Sequence, residues 1–438
     1  MLQKIHLLNL NILLNFSSVL WYNHMAFKFF CNARQRRQSK NGWLEPLKCD
    51  ACSALVNLRF DGVDFMRIIF ATGGTGGHIN PALAVAGYIR ERYGDEAEIL
   101  FVGTADHMEA KLVPNAGFDF ATIEISGFMR SFSPSAIKKN ILTVKRMITS
   151  SAESKKIISE FKPDVVVGFG GYVSGPVLRT AHKMGIPIAL HEQNAFPGIT
   201  NKALAKVADV VMLTSEDAKD RMECKNPPVI TGLPVRGELL SADRDFARAE
   251  LGIPEDKPLV LSMGGSLGAH AVNEAVCGLI ANKKDDRDCV FIHAMGQYGL
   301  WVPEKLRELG VELDGRDDIV IREYIDDMQR CMPAADLIIC RSGASSLYEI
   351  RALGKASVLI PSPNVAENHQ FYNAMELVNR DAAMIIEEKD LTPEKLTEVV
   401  NSLLKDPARI REIEKNAKGM AILNATELIV DNILSLIK

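Results

Sequence analysis

Four glycines interrupt an apolar, β-branched run in the stretch Met66–Pro81, which reads MRIIFATGGTGGHINP. The apolar run predicts a buried strand, and the residues after the glycines predict an amphipathic helix. A glycine turn between a strand and a helix lets bare backbone N–H groups approach a ligand, and the helix dipole behind it favours an anion. We therefore predict a diphosphate or phosphate-ester site at this turn, which includes Thr75, Gly76 and Gly77.

Two common phosphate-binding motifs do not fit this turn. A Walker loop has Lys-Ser or Lys-Thr after its last glycine, and here His78 and Ile79 take those places. A dinucleotide fingerprint needs a third small residue for close packing of the helix on the strand, and Ile79 stands there instead. A tight turn that binds nothing is the alternative, but four glycines followed by a histidine favour a ligand.

The composition indicates an ordinary globular protein with two domains. The chain has 438 residues, of which 47% are hydrophobic and 24% are charged, so it is long enough for more than one core. Its formal net charge of −4 creates no global basic field, and we expect no nucleic-acid partner. Eight cysteines without framework spacing favour a reducing compartment. Cys49 and Cys52 form one C-x-x-C pair, half a zinc site, for which chance is the favoured explanation, and we expect no metal.

Residues 1–65 differ in composition from the rest of the chain. The apolar stretch 7–20 contains asparagines and is shorter than the roughly 20 residues that a spanning helix needs. No acidic residue precedes Glu45, whereas six lysines and arginines do, a bias that targeting peptides also show. A targeting segment, a disordered extension and sequence translated from a non-native start codon are the alternatives. We favour the last, because Met66 directly precedes the first convincing strand.

From Met66 onwards, apolar runs alternate with amphipathic stretches, which predicts α/β domains built on parallel sheets with helices on both faces. The strand candidates are 67–71, 98–102, 164–168, 187–190, 210–213, 258–262, 290–294, 319–322, 337–340 and 356–360. Helix candidates include 81–93 and 174–184. A last helix is expected at the C-terminus, capped by the segment 424–427.

The two halves of the chain also resemble each other. The segments 164–171 and 185–194, joined by a helix, parallel 336–343 and 354–370, and the glycine turn at 73–78 parallels that at 264–270. An internal repeat of this kind indicates two similar Rossmann-like domains. When two such domains face each other, the carboxyl ends of both sheets line a shared cleft, which is where ligands bind in these folds.

Eight ordered motifs with consistent spacing resemble those of the MurG family of glycosyltransferases. They are 73–81, 103–109, 170–176, 191–194, 264–266, 324–328, 341–343 with Glu349, and 424–427. The resemblance extends from Met66 to about Lys438. It implies a GT-B fold, two Rossmann-like domains that face a cleft. It also implies inverting transfer of N-acetylglucosamine from UDP-GlcNAc to the 4-hydroxyl of undecaprenyl-diphospho-N-acetylmuramoyl pentapeptide (lipid I), in peptidoglycan synthesis.

The resemblance further implies which residues bind each substrate. Residues 66–235, completed by a helix at 421–438, would bind the acceptor, and residues 236–420 would bind UDP-GlcNAc. The implied donor contacts are Ser266 at the phosphates, Ile325 at the uracil, Glu349 at the ribose, Gln370 at the sugar, and Ser342, Gly343, Ala344, Ser345 and Ser346 along the nucleotide. His78, Asn194 and Arg236 would face the cleft. Glu349 could instead be a first-turn residue that complements a helix dipole, and Gln370 could be solvated.

Three positions depart from the common pattern of the family. Leu233 and Leu267 stand where asparagine and glutamine are usual, and His369 stands where a glutamine is often found. Leu267 and His369 adjoin implied donor positions, so these departures bear on the contacts to the sugar hydroxyls.

His78 is the histidine best placed to be the general base for the acceptor hydroxyl. A helix N-terminus favours the neutral imidazole that a base requires. A contact from His78 to the acceptor diphosphate is an equally good hypothesis, and Glu124, Asp106 and Glu192 are rival carboxylate bases. Backbone N–H groups and helix dipoles can stabilise the departing UDP, so we expect no cofactor.

Other functions remain compatible with the sequence. One is another enzyme on this scaffold, a UDP-GlcNAc 2-epimerase or a different GT-B transferase, and another is a non-catalytic nucleotide-sugar-binding protein. The segment 128–162 carries eight lysines and arginines against two glutamates, with apolar residues among them, which is typical of an anionic membrane surface as partner. A solvated helix that packs its apolar residues on the first sheet is the alternative. We expect peripheral attachment at the cytoplasmic face of the plasma membrane, with other cell-wall synthesis proteins as candidate partners.

Overall fold

The computed structural model describes residues 65–125 and 149–437, which lie in the compact unit Val63–Lys438. The expected extension at 1–64, the cysteine pair at 49 and 52, and most of the basic segment 128–162 lie outside the described residues.

The first sheet has seven parallel strands in the order β3-β2-β1-β4-β5-β6-β7. They are β1 (Met66–Ala71), β2 (Ala97–Gly103), β3 (Asp119–Thr122), β4 (Val165–Gly168), β5 (Ile188–Glu192), β6 (Val210–Leu213) and β7 (Val229–Ile230). Helices connect these strands: α1 (Gly76–Tyr93), α2 (Glu109–Asn115), α3 (described over 149–161), α4 (Ser174–Lys183) and α5 (Ile199–Ala205).

The second sheet has six parallel strands in the order β10-β9-β8-β11-β12-β13. They are β8 (Leu259–Met263), β9 (Val290–Ala294), β10 (Ile319–Arg322), β11 (Leu337–Cys340), β12 (Ser357–Leu359) and β13 (Met384–Ile385). The helices are α6 (Gly237–Leu240), α7 (Arg244–Leu251), α8 (His270–Asn282), α9 (Val302–Glu308), α10 (Met328–Ala334), α11 (Ala344–Leu353), α12 (His369–Val378), α13 (Pro393–Leu404), α14 (Pro407–Gly419) and α15 (Ala425–Leu434).

Strand β1 shows why its sequence is apolar throughout. Ile68 and Phe70 face one side of the sheet and pack with α1, whereas Ile69 and Ala71 face the other side and pack with α4. A parallel strand covered by helices on both faces has no solvent side, so apolar residues do not alternate with polar ones. The fold class predicted from the sequence, with parallel sheets and helices on both faces, is confirmed.

The ten predicted strands all occur, with ends within two residues of those expected. Three further strands were not predicted. The missed strands β3, β7 and β13 each lie at the edge of a sheet. Their residues are exposed or half-buried, so they lack the continuous apolar run that marks a central strand. The helix predicted at 81–93 begins earlier, at Gly76, so Pro81 lies inside the helix and not at its first position.

The last helix, α15, returns to the first sheet and packs against its core. Its Ile429, Val430 and Ile433 are fully buried in the same cluster as Ile68 and Phe70. The capping predicted for this helix is wrong: the side chain of its N-cap residue, Asn424, makes no capping hydrogen bond. The backbone of Asn424, at φ −94° and ψ 26°, is not in the extended conformation from which such a side chain caps a helix.

We expect burial, and not capping, to hold α15 in place. Ile429→Ala should lower the free energy of unfolding by about 2–5 kcal/mol, because it leaves a cavity in a fully packed core. Asn424→Ala should change it by less than about 0.5 kcal/mol. Chemical denaturation followed by circular dichroism measures both, and a large effect of the Asn424 substitution would mean that the side chain does cap the helix.

Candidate active site

Four of the loops that form the site leave the sheets where the strand order reverses. In the first sheet this point lies between β1 and β4, and in the second it lies between β8 and β11. Loops that diverge from neighbouring parallel strands leave a crevice between them, which is where α/β folds bind ligands. The glycine turns predicted from the sequence follow β1 and β8 at these two places.

The first glycine turn is shaped by close backbone packing. Gly74 has a φ of +94°, a conformation that glycine adopts readily. Gly171, in the loop after β4, has a φ of +77°, and a Cβ atom there would collide with the carbonyl oxygen of Gly73. The two loops at the switch point therefore approach as closely as they do because neither carries a side chain.

The buried carboxylate of Glu109, which the sequence analysis did not single out, binds the backbone of this turn. Glu109 is fully buried, and its Oε2 accepts a hydrogen bond of 3.1 Å from the N–H of Gly74. Its Oε1 accepts from the N–H and the hydroxyl of Thr104 at 3.1 and 2.7 Å. Because Gly74 is occupied in this way, the N–H groups left for an anion are those of the first turn of α1, at Gly76 and Gly77. Glu109 is the last residue of the motif 103–109. The sequence did not indicate its role, because a carboxylate after a strand is more often exposed.

The first of two cavities in the cleft, the acceptor-side cavity, has a volume of about 720 Å³. It is lined by His78, Glu192 and Asn194 from the first sheet's loops, and by His369 from the start of α12 beside the second sheet. Apolar residues such as Ile199 make up much of the remaining lining. Two of these residues, His78 and Asn194, were predicted to be in the site. Glu192 was a rival base, and His369 was a departure from the family pattern.

The three rival bases are poorly suited to that role. The carboxylate of Glu192 is buried and accepts hydrogen bonds from Asn194, Gly198 and Asn201, on both of its oxygens. Both of its oxygens are therefore already engaged by protein donors and are not directed at a ligand in the cavity. Asp106 and Glu124 are exposed and do not line the cavity, and a hydrogen bond from His107 lowers the pKa of Asp106.

His78 lies in the first turn of α1, and its ring Nδ1 is 2.8 Å from the side-chain oxygen of Gln193. Gln193 is buried and comes from the loop after β5. This contact engages one ring nitrogen and leaves Nε2 as the nitrogen that can react.

The second cavity, the donor-side cavity, has a volume of about 500 Å³. Six predicted residues line it: Arg236, Ser266, Ile325, Ser345, Ser346 and Glu349. Asn80, Pro81, Leu83 and Ala84 of α1 also line it, so the cavity lies between the two sheets. The volume falls within the usual range for small-molecule sites.

Glu349 and Arg236 form an ion pair at the wall of the donor-side cavity. The Nε and a terminal nitrogen of Arg236 both lie 2.8 Å from Oε1 of Glu349. Burial raises the pKa of Glu349, and the charge and hydrogen bonds of Arg236 oppose that rise. The alternative in which Glu349 complements a helix dipole from the first turn is wrong, because α11 begins at Ala344 and has no acidic residue in its first turn.

The N-terminus of α11 offers several unused polar groups. Its N-cap residue, Gly343, provides no side-chain cap for the first N–H groups, which include that of Ala344. The hydroxyls of Ser342 and Ser345 are buried without a hydrogen-bond partner among the described residues. Gln370 supports this loop, since its side-chain oxygen accepts from the N–H of Ser342 at 3.3 Å and of Ser362 at 2.9 Å. The carbonyl of Gln370 is therefore not solvated, but its amide nitrogen remains to donate.

Asn373, which the sequence analysis missed, joins the two halves of the site. Its Oδ1 accepts a hydrogen bond of 2.9 Å from the N–H of Ala195, and its Nδ2 donates to the Oδ1 of Asn194 at 3.1 Å and to the carbonyl of Ser342 at 3.2 Å. Asn194 is thus held by protein groups at both ends of its amide, because its Nδ2 also donates to Glu192. A lone asparagine within a helical pattern gives no sequence signal for such a role.

The remaining departures from the family pattern lie in different environments. Leu233 is fully buried, and Leu267 is 54% exposed beside the donor-side cavity. Burial lowers the pKa of His369, whose Nδ1 donates to the carbonyl of Ala366 at 2.8 Å. Among residues 65–125 and 149–437, no group of three or more His, Cys, Asp or Glu side chains is arranged to hold a metal ion.

Two Rossmann-like sheets whose switch-point loops face a shared cleft form the GT-B fold, the fold of many glycosyltransferases. Family models agree: residues 68–213 match the glycosyltransferase family 28 N-terminal domain, and residues 259–430 match the family 28 C-terminal domain. The crystal structure of Acinetobacter baumannii MurG superimposes with a TM-score of 0.68 at 30% identity, over 84% of this chain and 99% of that one. The calicheamicin glycosyltransferase CalG4, with a TM-score of 0.62 at 15% identity over 85% of this chain and 98% of that one, shares the fold.

A curated protein of Acetivibrio thermocellus is 44% identical over 375 residues, which cover 85% of this chain and 99% of the relative. It is named UDP-N-acetylglucosamine–N-acetylmuramyl-(pentapeptide) pyrophosphoryl-undecaprenol N-acetylglucosamine transferase. A relative with the same name in Christiangramia forsetii is 42% identical over 85% of this chain and 98% of its own length. The chain belongs to this family, the MurG family, as the motifs predicted.

We expect Asn373 to contribute to stability through its links across the cleft. Asn373→Ala should lower the free energy of unfolding by about 1–3 kcal/mol, because it leaves the buried N–H of Ala195 and the carbonyl of Ser342 without a partner. Asn379→Ala, at the exposed end of the same helix, is the matched control and should change it by less than about 0.5 kcal/mol. Equal effects of the two substitutions in thermal or chemical unfolding would contradict the bridging role.

Proposed function

We propose that this protein transfers N-acetylglucosamine from UDP-GlcNAc to the 4-hydroxyl of undecaprenyl-diphospho-N-acetylmuramoyl pentapeptide, with inversion, as a step of peptidoglycan synthesis. The observation that carries the proposal is the 44% identity over 99% of the length of a relative named for this reaction. Two cavities on either side of one cleft, of about 500 and 720 Å³, support a reaction between two substrates.

The donor-side cavity has the groups that a uridine diphosphate requires. The uncapped N-terminus of α11, with the hydroxyls of Ser345 and Ser346 and the turn at Ser266, would donate hydrogen bonds to the diphosphate. The backbone at Ile325 would contact the uracil. Glu349, paired with Arg236 through one oxygen, would accept hydrogen bonds from the ribose hydroxyls through its second oxygen. The amide nitrogen of Gln370 would donate to the sugar.

The acceptor-side cavity would hold the acceptor diphosphate and muramoyl sugar. The first turn of α1, from Thr75 through Gly76 and Gly77, would bind the diphosphate. His78 would then accept the proton of the 4-hydroxyl as that oxygen attacks C1 of N-acetylglucosamine and the bond from C1 to the UDP oxygen breaks. The charge that develops on UDP would be stabilised by backbone N–H groups at the two glycine turns, with no cofactor in the reaction.

Product analysis tests this function against its rivals. Purified protein with UDP-GlcNAc and the lipid-linked acceptor should give a β-linked disaccharide and UDP, and the products should not form without the acceptor. A UDP-GlcNAc 2-epimerase would instead give the epimeric nucleotide sugar without an acceptor. Tight binding of UDP-GlcNAc with no turnover of either kind would indicate a nucleotide-sugar-binding protein.

We expect Glu349→Gln to raise the donor KM. Loss of a charged hydrogen-bond acceptor in a buried site should cost about 1.5–3 kcal/mol, roughly a tenfold to hundredfold increase. Since burial raises the pKa of Glu349, the wild-type affinity for UDP-GlcNAc should weaken on acidification at a higher pH than for an ordinary glutamate, and the Gln variant should lack that dependence. Steady-state kinetics measure the KM, and calorimetry at several pH values measures the affinity. Glu414→Gln is the control, because burial also raises the pKa of Glu414 but that residue does not line the cavity.

The lipid-linked acceptor requires access to a membrane, and no described helix is long and apolar enough to cross one. The protein would attach peripherally to the cytoplasmic face of the plasma membrane through the basic segment 128–162, of which Lys155, Lys156 and Lys162 are described and exposed.

Charge reversal at Lys138, Lys139, Lys145 and Arg146 should abolish binding to anionic vesicles, because each cation near such a surface contributes about 1 kcal/mol. It should also raise the KM for a long-chain acceptor and leave that for a short, soluble acceptor unchanged. Charge reversal at Lys395, Lys405, Arg411 and Lys415, which are exposed on or between α13 and α14, is the control. Vesicle binding that survives the first reversal and is insensitive to salt would show that the segment is not the membrane surface.

A further inference from the structure

A chain of hydrogen bonds connects His78 to the backbone beyond β7. His78 Nδ1 is 2.8 Å from Oε1 of Gln193, whose Nε2 lies 3.1 Å from Nδ1 of His191 and 3.2 Å from the carbonyl oxygen of the same residue. The Nε2 of His191 is 2.9 Å from the carbonyl oxygen of Gly232. Gln193 and His191 are buried, so water does not compete for these contacts.

Two carbonyl oxygens determine the direction of every bond in this chain. The carbonyl of Gly232 can only accept, so Nε2 of His191 carries a hydrogen. Burial lowers the pKa of His191 to about 4, so its ring is neutral and its Nδ1 is an acceptor. The carbonyl of His191 also only accepts, which places the amino group of Gln193 beside it. The oxygen of Gln193 therefore faces His78 and accepts, and the donor is the Nδ1–H of His78.

The surroundings of this chain keep its rings in place. Gly170 has a φ of +87°, and a Cβ atom there would lie 2.8 Å from Nδ1 of His78. The ring of Phe169 stacks on that of His191 with centroids 5.2 Å apart. Gly232 has a φ of +78° and no room for a side chain beside the hydroxyl of Tyr348, so the carbonyl that ends the chain is itself held in one position.

We propose that Gln193 and His191 are positioning residues that hold neutral His78 in its Nδ1–H tautomer, so that Nε2 carries the lone pair that takes the acceptor's proton. The proposal rests on the proposed role of His78 as general base. In water a neutral histidine prefers the Nε2–H tautomer, in which the reactive nitrogen would be a donor and could not act as a base. A hydrogen-bond acceptor at Nδ1 reverses that preference.

The use of an amide for this purpose has a chemical consequence. A carboxylate at the same place would also stabilise the imidazolium and would make His78 more basic. Gln193 selects the tautomer without adding a charge. The titratable groups near His78 are His191 beneath it and, on the walls of the acceptor-side cavity, Glu192 and His369, together with Tyr172, Arg179 and Glu367.

Nitrogen-15 NMR of histidine-labelled protein measures the tautomer directly. The wild-type spectrum should show His78, assigned by comparison with His78→Gln, with its hydrogen on Nδ1. Gln193→Leu should shift His78 towards the Nε2–H form and lower kcat by roughly tenfold to a hundredfold, part of the 10²–10⁴ that a general base contributes. Affinity for UDP should not change, since Gln193 does not line the donor-side cavity. Gln297→Leu, at an exposed glutamine beside the second sheet, is the control.

A conservative variant separates positioning from a structural role. In Gln193→Glu one carboxylate oxygen still accepts from Nδ1–H of His78, whereas the other faces Nδ1 and the carbonyl oxygen of His191, so His191 must be protonated at both nitrogens and its carbonyl loses one donor. We expect the Nδ1–H tautomer and most of kcat to return, and the acidic limb of the kcat profile to move to higher pH. A structural role would instead lower kcat equally in the Leu and Glu variants and would leave the pH profile in place.

Two results would overturn the proposal: an Nε2–H tautomer for His78 in the wild-type spectrum, or an unchanged kcat and pH profile in Gln193→Leu. Failure of the underlying base role would look different. In that case His78→Gln would retain kcat at saturating acceptor, while the spectrum of the wild type would still show the Nδ1–H form.

Discussion

Both cavities depend on the place where the strand order reverses in a parallel sheet. Neighbouring loops diverge there. In the first sheet the backbones of the two loops still approach each other closely at Gly73 and Gly171, because neither residue has a side chain. That contact places the first turn of α1 at the border of the two cavities. His78 of α1 lines one, and Asn80 and Pro81, barely one turn further, line the other. One helix start therefore brings the proposed base close to both substrates.

Most of the carboxylates at the site have a hydrogen-bond or ion-pair partner within the protein. Glu109 and Glu192 are buried carboxylates that accept hydrogen bonds on both oxygens, and they shape loops. Glu349 forms an ion pair with Arg236. Among the contacts that orient groups at the site, those to His78 and to Asn194 include neutral amides, the side chains of Gln193 and Asn373. Amides donate and accept without adding charge, which suits a cleft that must receive two anionic diphosphates.

The central strands and the family were predictable because their signals are local and repeated. A strand covered on both faces needs an unbroken apolar run, and a glycine turn needs glycines in sequence, so both are visible in one short stretch. The edge strands β3, β7 and β13 were not predictable, since a half-exposed segment of a few residues becomes a strand only when a neighbour pairs with it. The cap at Asn424 failed because a capping motif does not specify the backbone angles that its side chain needs.

The amino-acid order alone was enough to establish two parallel α/β domains, glycine turns at their switch points and membership of the MurG family. It also named eight of the residues that line the cavities, because those residues lie in motifs that can be read from the sequence. The folded chain alone decided which of them are free to react. Gln193 lies 115 positions from His78, Glu349 lies 113 from Arg236, and Asn373 lies 179 from Asn194. Whether a histidine is a donor or an acceptor, and whether a carboxylate is already saturated, depends on such distant partners, and no local pattern records them.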